Sequence, residues 1–472
     1  MDRAEKEPPP KRRKSTGDRS PSHPKSPQHT PKRSLPRDGR SSTENPPWLR
    51  NVTGITLPPG KFTLRAEKQS TISGIERQWE TVAGVQSCSR QAVDRGWEEP
   101  FDFSVMSYNI LSQELLHDNA YLYRHCSLPI LDWSYRFSNI LKELEQHNAD
   151  VICLQEVQED HYMNQIKPSL ESLGYHCEFK RRTGRKPDGC AVVFKKSRFS
   201  LVSCHPVEYF RRSVPLLDRD NVGLILLLQP TECSSCASNI CVANTHLLYN
   251  PRRGDIKLAQ LAMLLAEISR VAALPDGGTC PVVLCGDFNS VPWSPLYSFI
   301  KDSRLEYGGM AIGKVSGQEE SPRGQRVLTV PIWPRSLGIT QQCQYESPPR
   351  ELSVRELEEE ALEMLNSLTQ PRIEHGLKLS SVYSHHLDEG KRPEITTCHS
   401  RTAITVDYIF YTAAEEGVSA LPECTAPVGQ GLQLLARLAL VGETELQEVN
   451  GLPNEHHSSD HLPLLARFRL HK

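Results

Sequence analysis

Pro281-Val282-Val283-Leu284-Cys285-Gly286-Asp287-Phe288-Asn289 is the stretch on which the fold reading turns. Its first five residues contain no polar side chain, which fits a strand covered on both faces, since a strand with one wet face would alternate. The chain then changes abruptly to a carboxylate and an amide. Working outward, the same pattern recurs. Val151-Ile152-Cys153-Leu154 is a second apolar run and leads straight to Gln155-Glu156, while the segment from Ile240 to Leu248 repeats it and holds His246. Between these runs Leu258, Leu261, Ala262, Leu265 and Ile268 recur at helical spacing, so a helix is expected over 255–273. Phe101, Phe103, Val105, Tyr108 and Ile110 approximate period two, as do Ile404 to Tyr411 and Leu462 to Leu470. Interleaved strands and helices, with several strands only half apolar, indicate an α/β protein whose sheet is layered against another sheet and flanked by helices.

The globular domain is expected over 101–472. Residues 1–47 are Pro, Ser, Lys and Arg with almost no aliphatic residue, too little apolar surface to offset chain entropy, and read as a disordered basic tail. Lys11-Arg12-Arg13-Lys14 within it has the form of a nuclear import signal or a loose phosphate contact, and equally of a solvated run. Residues 48–100 have a mixed pattern and are left unassigned. The stretch 312–377 interrupts the strand rhythm like an insertion, with an acidic helix candidate from Glu351 to Thr369.

A net charge of -2 excludes the strongly basic balance of a non-specific nucleic-acid coat. Fourteen cysteines without a regular frame, and no apolar leader at Met1, point to a reducing compartment, here the cytoplasm and nucleus. No stretch approaches the roughly 20 apolar residues of a membrane span. Cys233 and Cys236, with Cys241 close behind, have half of a zinc spacing and nothing to complete it. A monomer without a membrane partner is expected.

The informative feature is where polar groups sit relative to the strands. Asn109, Glu156, His246, Asp287 with Asn289, Asp407, and Asp460 with His461 each lie on or beside a strand. Singly, each has a dull explanation as a turn residue or a satisfied core histidine. Together they are hard to explain structurally, because charged groups beside buried runs are costly unless paired or bound to a cation. A hard cation such as magnesium takes oxygen ligands, and Glu156, Asn109 and Asp460 supply oxygens. The lack of a Cys/His set among the candidates disfavours zinc. Asp287 and Asn289 offer a proton acceptor and an amide for a phosphate or water, and His461, oriented by Asp407, offers a donor to developing negative charge.

Ser107-Tyr108-Asn109-Ile110-Leu111, Leu154-Gln155-Glu156-Val157, Asn244-Thr245-His246-Leu247, Gly286-Asp287-Phe288-Asn289-Ser290, Val406-Asp407-Tyr408-Ile409 and Ser459-Asp460-His461-Leu462-Pro463 resemble, in order, the signature blocks of the endonuclease/exonuclease/phosphatase superfamily. Within it the chain resembles the Angel proteins, relatives of the carbon-catabolite-repression-type deadenylases. The likeness includes the runs Arg181 to Gly189 and Leu248 to Lys257. It implies a four-layer α/β sandwich of two packed mixed sheets flanked by helices. It also implies magnesium, with manganese as a substitute, at Asn109, Glu156 and Asp460, and catalysis by Asp287, Asn289, Asp407, His461 and His246. The implied substrate is the 2′,3′-cyclic phosphate on RNA 3′ ends, removed to leave hydroxyls. A 3′-to-5′ exoribonuclease (deadenylase) is the alternative, and a non-catalytic RNA- or partner-binding scaffold is the alternative of another class. The basic loops carrying Arg185, Lys186, Arg252 and Arg253 are candidates for the RNA backbone, and Asn221 for the terminal nucleotide. A solvated loop face is the plain alternative for them.

Overall fold

The computed structural model describes residues 74–82, 100–231, 239–275, 277–319, 326–346, 371–387, 392–400, 402–414 and 431–470. The expected tail, its basic run at 11–14, Cys233, Cys236 and the helix candidate at 351–369 lie outside these residues.

Two mixed sheets form the centre. The first contains β1 (Trp79–Thr81), β2 (Phe101–Asn109), β3 (Val151–Gln158), β4 (Tyr175–Arg181), β5 (Asp188–Lys195), β12 (Leu432–Leu438) and β13 (Leu464–Leu470), in the order β1-β12-β13-β2-β3-β5-β4. The second contains β6 (Phe199–Glu208), β7 (Val222–Pro230), β8 (Ile240–His246), β9 (Val282–Asp287), β10 (Leu379–Ser381) and β11 (Asp407–Thr412), in the order β10-β11-β9-β8-β7-β6. In each sheet a single pair is parallel, β2 with β3 and β8 with β9. Parallel neighbours need a crossover, and each has a helix for it. α1 (Trp133–His147) links the first pair and α2 (Gly254–Ala272) the second.

Alternation along each strand builds the layers. Val151 and Cys153 of β3 face the second sheet's Leu226, Val242 and Val283, whereas Ile152 and Leu154 face Ile140 and Leu144 of α1. On the far side, Val282 and Leu284 of β9 meet Leu258, Leu261 and Leu265 of α2 and the short helix α3 (Pro295–Asp302). The result is helix, sheet, sheet, helix, as expected. Each such aliphatic side chain contributes about 1.5–3 kcal/mol by leaving water, which explains why these runs are apolar throughout. α1 starts at Asp132, whose carboxylate accepts from the Ser134 N–H, and stops at Asn148 in the left-handed region.

The structure departs from the sequence reading in places. The strand expected from Ile404 to Tyr411 is broken: Thr402–Ile404 pairs with Thr397–His399, and Asp407–Thr412 pairs with β9. Between them, where the chain changes partners, the Val406 N–H donates to the Thr396 hydroxyl at 3.0 Å. Within the unassigned stretch, Trp79–Thr81 adds an edge strand to β12. Described parts of 312–377 place Ile312, Val315, Leu328, Trp333 and Ile373 in the core around α2. Cys241 is buried in β8.

Candidate active site

Parallel strands finish on the same edge, so the C-terminal ends of both central pairs deliver their polar residues to one place. The two sheets are fixed to each other just beneath it. The Asn244 amide of β8 donates to the carbonyls of Leu154 and Ala191 at 2.8 and 2.9 Å, and accepts from Gln155 at 2.8 Å. Above this staple, Asn109, Asp287, Asn289, Asp407, Asp460, His246 and His461 are all buried, with Glu156 beside them.

Register sets the row. In the second sheet Asp407, Asp287 and His246 stand opposite one another on β11, β9 and β8. Gly286 precedes the central carboxylate at φ 153°, and a Cβ there would lie 2.2 Å from the Thr245 carbonyl oxygen. Only glycine lets the strands approach so closely. In the first sheet a bulge between Leu154 and Val157 leaves Glu156 at φ 56°, a conformation that turns its side chain out of the strand's alternation and into the cleft. Asn289 is also left-handed, at φ 48°.

The contacts connect these groups. The Asn109 amide donates to Glu156 Oε1 at 3.3 Å and to Asp287 Oδ2 at 3.1 Å, while its oxygen accepts from the Leu111 N–H. Glu156 Oε2 accepts from the Ser112 N–H at 3.0 Å. Asp287 Oδ1 accepts from the Asn289 N–H at 2.9 Å, and the Asn289 amide reaches His246 Nε2 at 3.0 Å. His461 Nδ1 is 2.8 Å from Asp407 Oδ2, which also accepts from Thr396, and His461 Nε2 stands 4.0 Å from Asp287. Asp460 Oδ2 accepts from the Tyr123 hydroxyl at 2.8 Å.

Burial and crowding of carboxylates govern the charges. Burial, then the neighbouring Asp407, pushes Asp287 up to about 7. Burial also raises Glu156, with Asp188 and Asp460 adding to it against the imidazoles. Burial alone would depress His461, but the Asp407 charge and hydrogen bond carry it well above its usual value. His246 is held down by burial. A histidine kept charged between carboxylates, beside one kept neutral, gives the cleft both a cationic donor and a neutral imidazole.

The donor set also fits a cation. Asp460 Oδ1 and Asp407 Oδ1 are buried without a hydrogen-bond partner, a costly state that a metal ion would relieve. Asp287, Asp407 and His461 bring ligand atoms within 4.8 Å of one another. Within that group the imidazole is already engaged with Asp407. The predominantly oxygen character of the whole cleft suits a hard cation.

The sequence profile described as Endonuclease/Exonuclease/phosphatase family matches residues 106–461. The chain belongs to this family. Protein angel homolog 2 of Danio rerio is 67% identical over 473 residues, covering 100% of this chain and 80% of that protein. The human protein of the same name is 63% identical over 381 residues, covering 79% of this chain and 70% of its own length. A crystal structure of ANGEL2, described as a 2′,3′-cyclic phosphatase, in complex with adenosine-2′,3′-vanadate, superposes with a TM-score of 0.71 at 58% identity, covering 85% of this chain and 100% of that one. The likeness is to the Angel branch of the family.

Against this family frame, the expected substrate residues are placed differently from the polar core. Asn221 is buried, where its amide donates to the His246 carbonyl at 3.1 Å and its oxygen accepts from Gln260, which ties it to the backbone of His246. Arg252 is exposed and ion-paired with Glu319 at 2.6 Å, and Arg253 with Asp255 at 2.9 Å. Arg185 and Lys186 are exposed on the loop after β4.

Supporting residues missed by the sequence reading include Tyr123, Thr396, Arg136 and Lys257. Arg136 is fully buried on α1 and donates to the carbonyls of Ile110, Leu111 and Ser458, tying the segment after Asn109 to the one before Asp460. Burial brings its guanidinium down to about 10. Lys257 on α2 donates to the Asn289 carbonyl and to Gln318, and burial lowers it to about 7. A signal existed for Arg136. It lies four and eight residues before Ile140 and Leu144, a charge on the apolar stripe of a helix.

Proposed function

We propose that the chain is a magnesium-dependent phosphoesterase that removes the 2′,3′-cyclic phosphate from RNA 3′ ends and leaves a diol. The observation that carries this reading is the convergence of the complete polar set in one cleft, in a chain 58% identical to a protein described as a 2′,3′-cyclic phosphatase. Glu156, Asp460 and Asn109 would hold the ion, directly or through the waters magnesium retains. Its chemistry there is to polarise the phosphoryl oxygens and offset developing charge.

The chain's own residues do the rest. Asp287 accepts a proton from the attacking water, and the Asn289 amide, whose nitrogen is held by the Leu247 carbonyl and His246 Nε2 at 3.0 Å each, offers its oxygen to orient that water. His461, kept charged by Asp407, donates to the equatorial phosphoryl oxygens. Attack on phosphorus breaks one ring P–O bond, and the released ribose oxygen takes up, through solvent, the equivalent of the proton that Asp287 removed from the water, which restores the carboxylate. A second water then cleaves the resulting monoester, giving the diol and inorganic phosphate.

The end group tests this reading. Purified protein with magnesium should convert an oligonucleotide ending in a 2′,3′-cyclic phosphate to one ending in a diol with release of phosphate, and a chelator should stop it. Stepwise release of adenosine monophosphate from poly(A), with the cyclic end untouched, would show an exoribonuclease instead. No turnover of either substrate would leave the binding scaffold.

A further inference from the structure

We propose that Lys257 is a positioning residue for the hydrolysis: by holding the Asn289 carbonyl it fixes the turn that aims the Asn289 amide at the attacking water. This rests on the proposed reaction, in which that amide orients the water. Lys257 is costly where it stands. It is fully buried, and among the described residues no carboxylate is ion-paired with it. It is also the fourth residue of α2, where the positive end of the helix dipole disfavours a cation. Burial brings its ammonium down to about 7, against the pull of Asp287. For stability alone, a well-packed apolar side chain would serve as well or better.

What the ammonium holds gives the reason for it. On one side of the Asn289 Cα, the N–H donates to Asp287 Oδ1 at 2.9 Å. On the other, the carbonyl accepts from Lys257 Nζ, whose second partner is Gln318 Oε1 at 3.3 Å. No other described group donates to that carbonyl. Both peptide planes that meet at the Cα are therefore pinned. Between them Asn289 sits at φ 48°, in the left-handed region that residues with a Cβ enter at a cost. Strain of this kind persists only where the surroundings over-determine it.

The same helix face braces the neighbouring strand end. Gln260, three residues on and so on the same side of α2, accepts from the Leu248 N–H at 3.0 Å and donates to Asn221 at 3.4 Å. Asn221 in turn holds the His246 carbonyl, and His246 Nε2 meets the Asn289 amide at 3.0 Å. Lys257 and Gln260 thus support, from one helix, the two residues that meet there.

The test is a double-mutant cycle on an RNA ending in a 2′,3′-cyclic phosphate. In Lys257→Met, kcat should fall about 10–100-fold, the scale of a displaced catalytic group, with KM within about twofold. In an Asn289→Ala background the same substitution should cost less than about twofold, because residues that act as a unit are not additive. Lys257→Gln, neutral but still a donor, should recover part of kcat, and it carries the same cycle if the methionine variant fails to fold. Losses that multiply in the double variant, or a raised KM with kcat unchanged, would overturn the positioning role. Absence of wild-type turnover would instead sink the phosphatase reading. The hold on Asn289 is then read from the crystal structure of the Lys257 variant: Asn289 should leave the left-handed region, and an unchanged turn would overturn the proposal.

Discussion

Asp287→Asn is expected to lower kcat on a 2′,3′-cyclic-phosphate RNA end by about 10²–10⁴-fold, the range a positioned base supplies, with KM little changed. The substitution keeps the shape of the side chain and an oxygen for the Asn289 N–H, which Asp287 binds at 2.9 Å, so the local turn should persist. What disappears is the capacity to take a proton. The pH profile gives an independent check. Burial and the Asp407 charge raise Asp287 to about 7, so in the ion-free protein its basic form is lost as pH falls through that value. A bound cation would draw the same limb to lower pH by stabilising the carboxylate. The acid limb of kcat/KM in the wild type should therefore flatten in Asp287→Asn. Single-turnover rates across pH measure it, and an unchanged limb in the variant would assign the titration to another group.

Glu156→Gln should raise the magnesium concentration needed for half-maximal rate by more than about 100-fold, since even outer partners of metal ligands cost about 10–100-fold. Glutamine preserves volume and can still accept from the Ser112 N–H, while the charge and the weaker acceptor for the Asn109 amide at 3.3 Å are removed. The same change has an opposite effect on stability. Burial raises the Glu156 pKa, which means that its charged form opposes folding at any pH above its unfolded value. Without metal, Glu156→Gln should thus melt no lower than the wild type at neutral pH; with saturating magnesium the order should reverse. Thermal melts with chelator and with magnesium read both arms. A variant that is less stable in chelator would show Glu156 to be a structural residue of the bulge.

These two effects trace back to how legible the chain is. Val151 to Leu154, Ile240 to Ala243 and Val282 to Cys285 are readable because both their faces are covered, so apolar residues run on without interruption. The polar residue that ends each run is readable for the same reason. It stands out against its neighbours. Partnership is what the pattern conceals. Nothing local says that Asp407 would lie opposite Asp287, because that register depends on a partner change between Ile404 and Asp407 made by a threonine side chain. Asn221 resembles a loop residue in sequence, and its place under His246 emerges only when β7 pairs with β8. Arg136 and Lys257 are long charged side chains on buried helix faces, where periodicity alone counts them as exceptions. Their hydrogen bonds to backbone carbonyls near the cleft give them a purpose.

Two ligand sets compete for the ion, and locating it decides between them. Crystals soaked in manganese and recorded near its absorption edge would show the ion by anomalous scattering. A peak bonded to the Glu156 carboxylate and bordered by Asp460 and Asn109 is the expected result. A peak held by His461 with Asp287 and Asp407, and none beside Glu156, would contradict the division of the cleft into an ion-holding side and a proton-handling side.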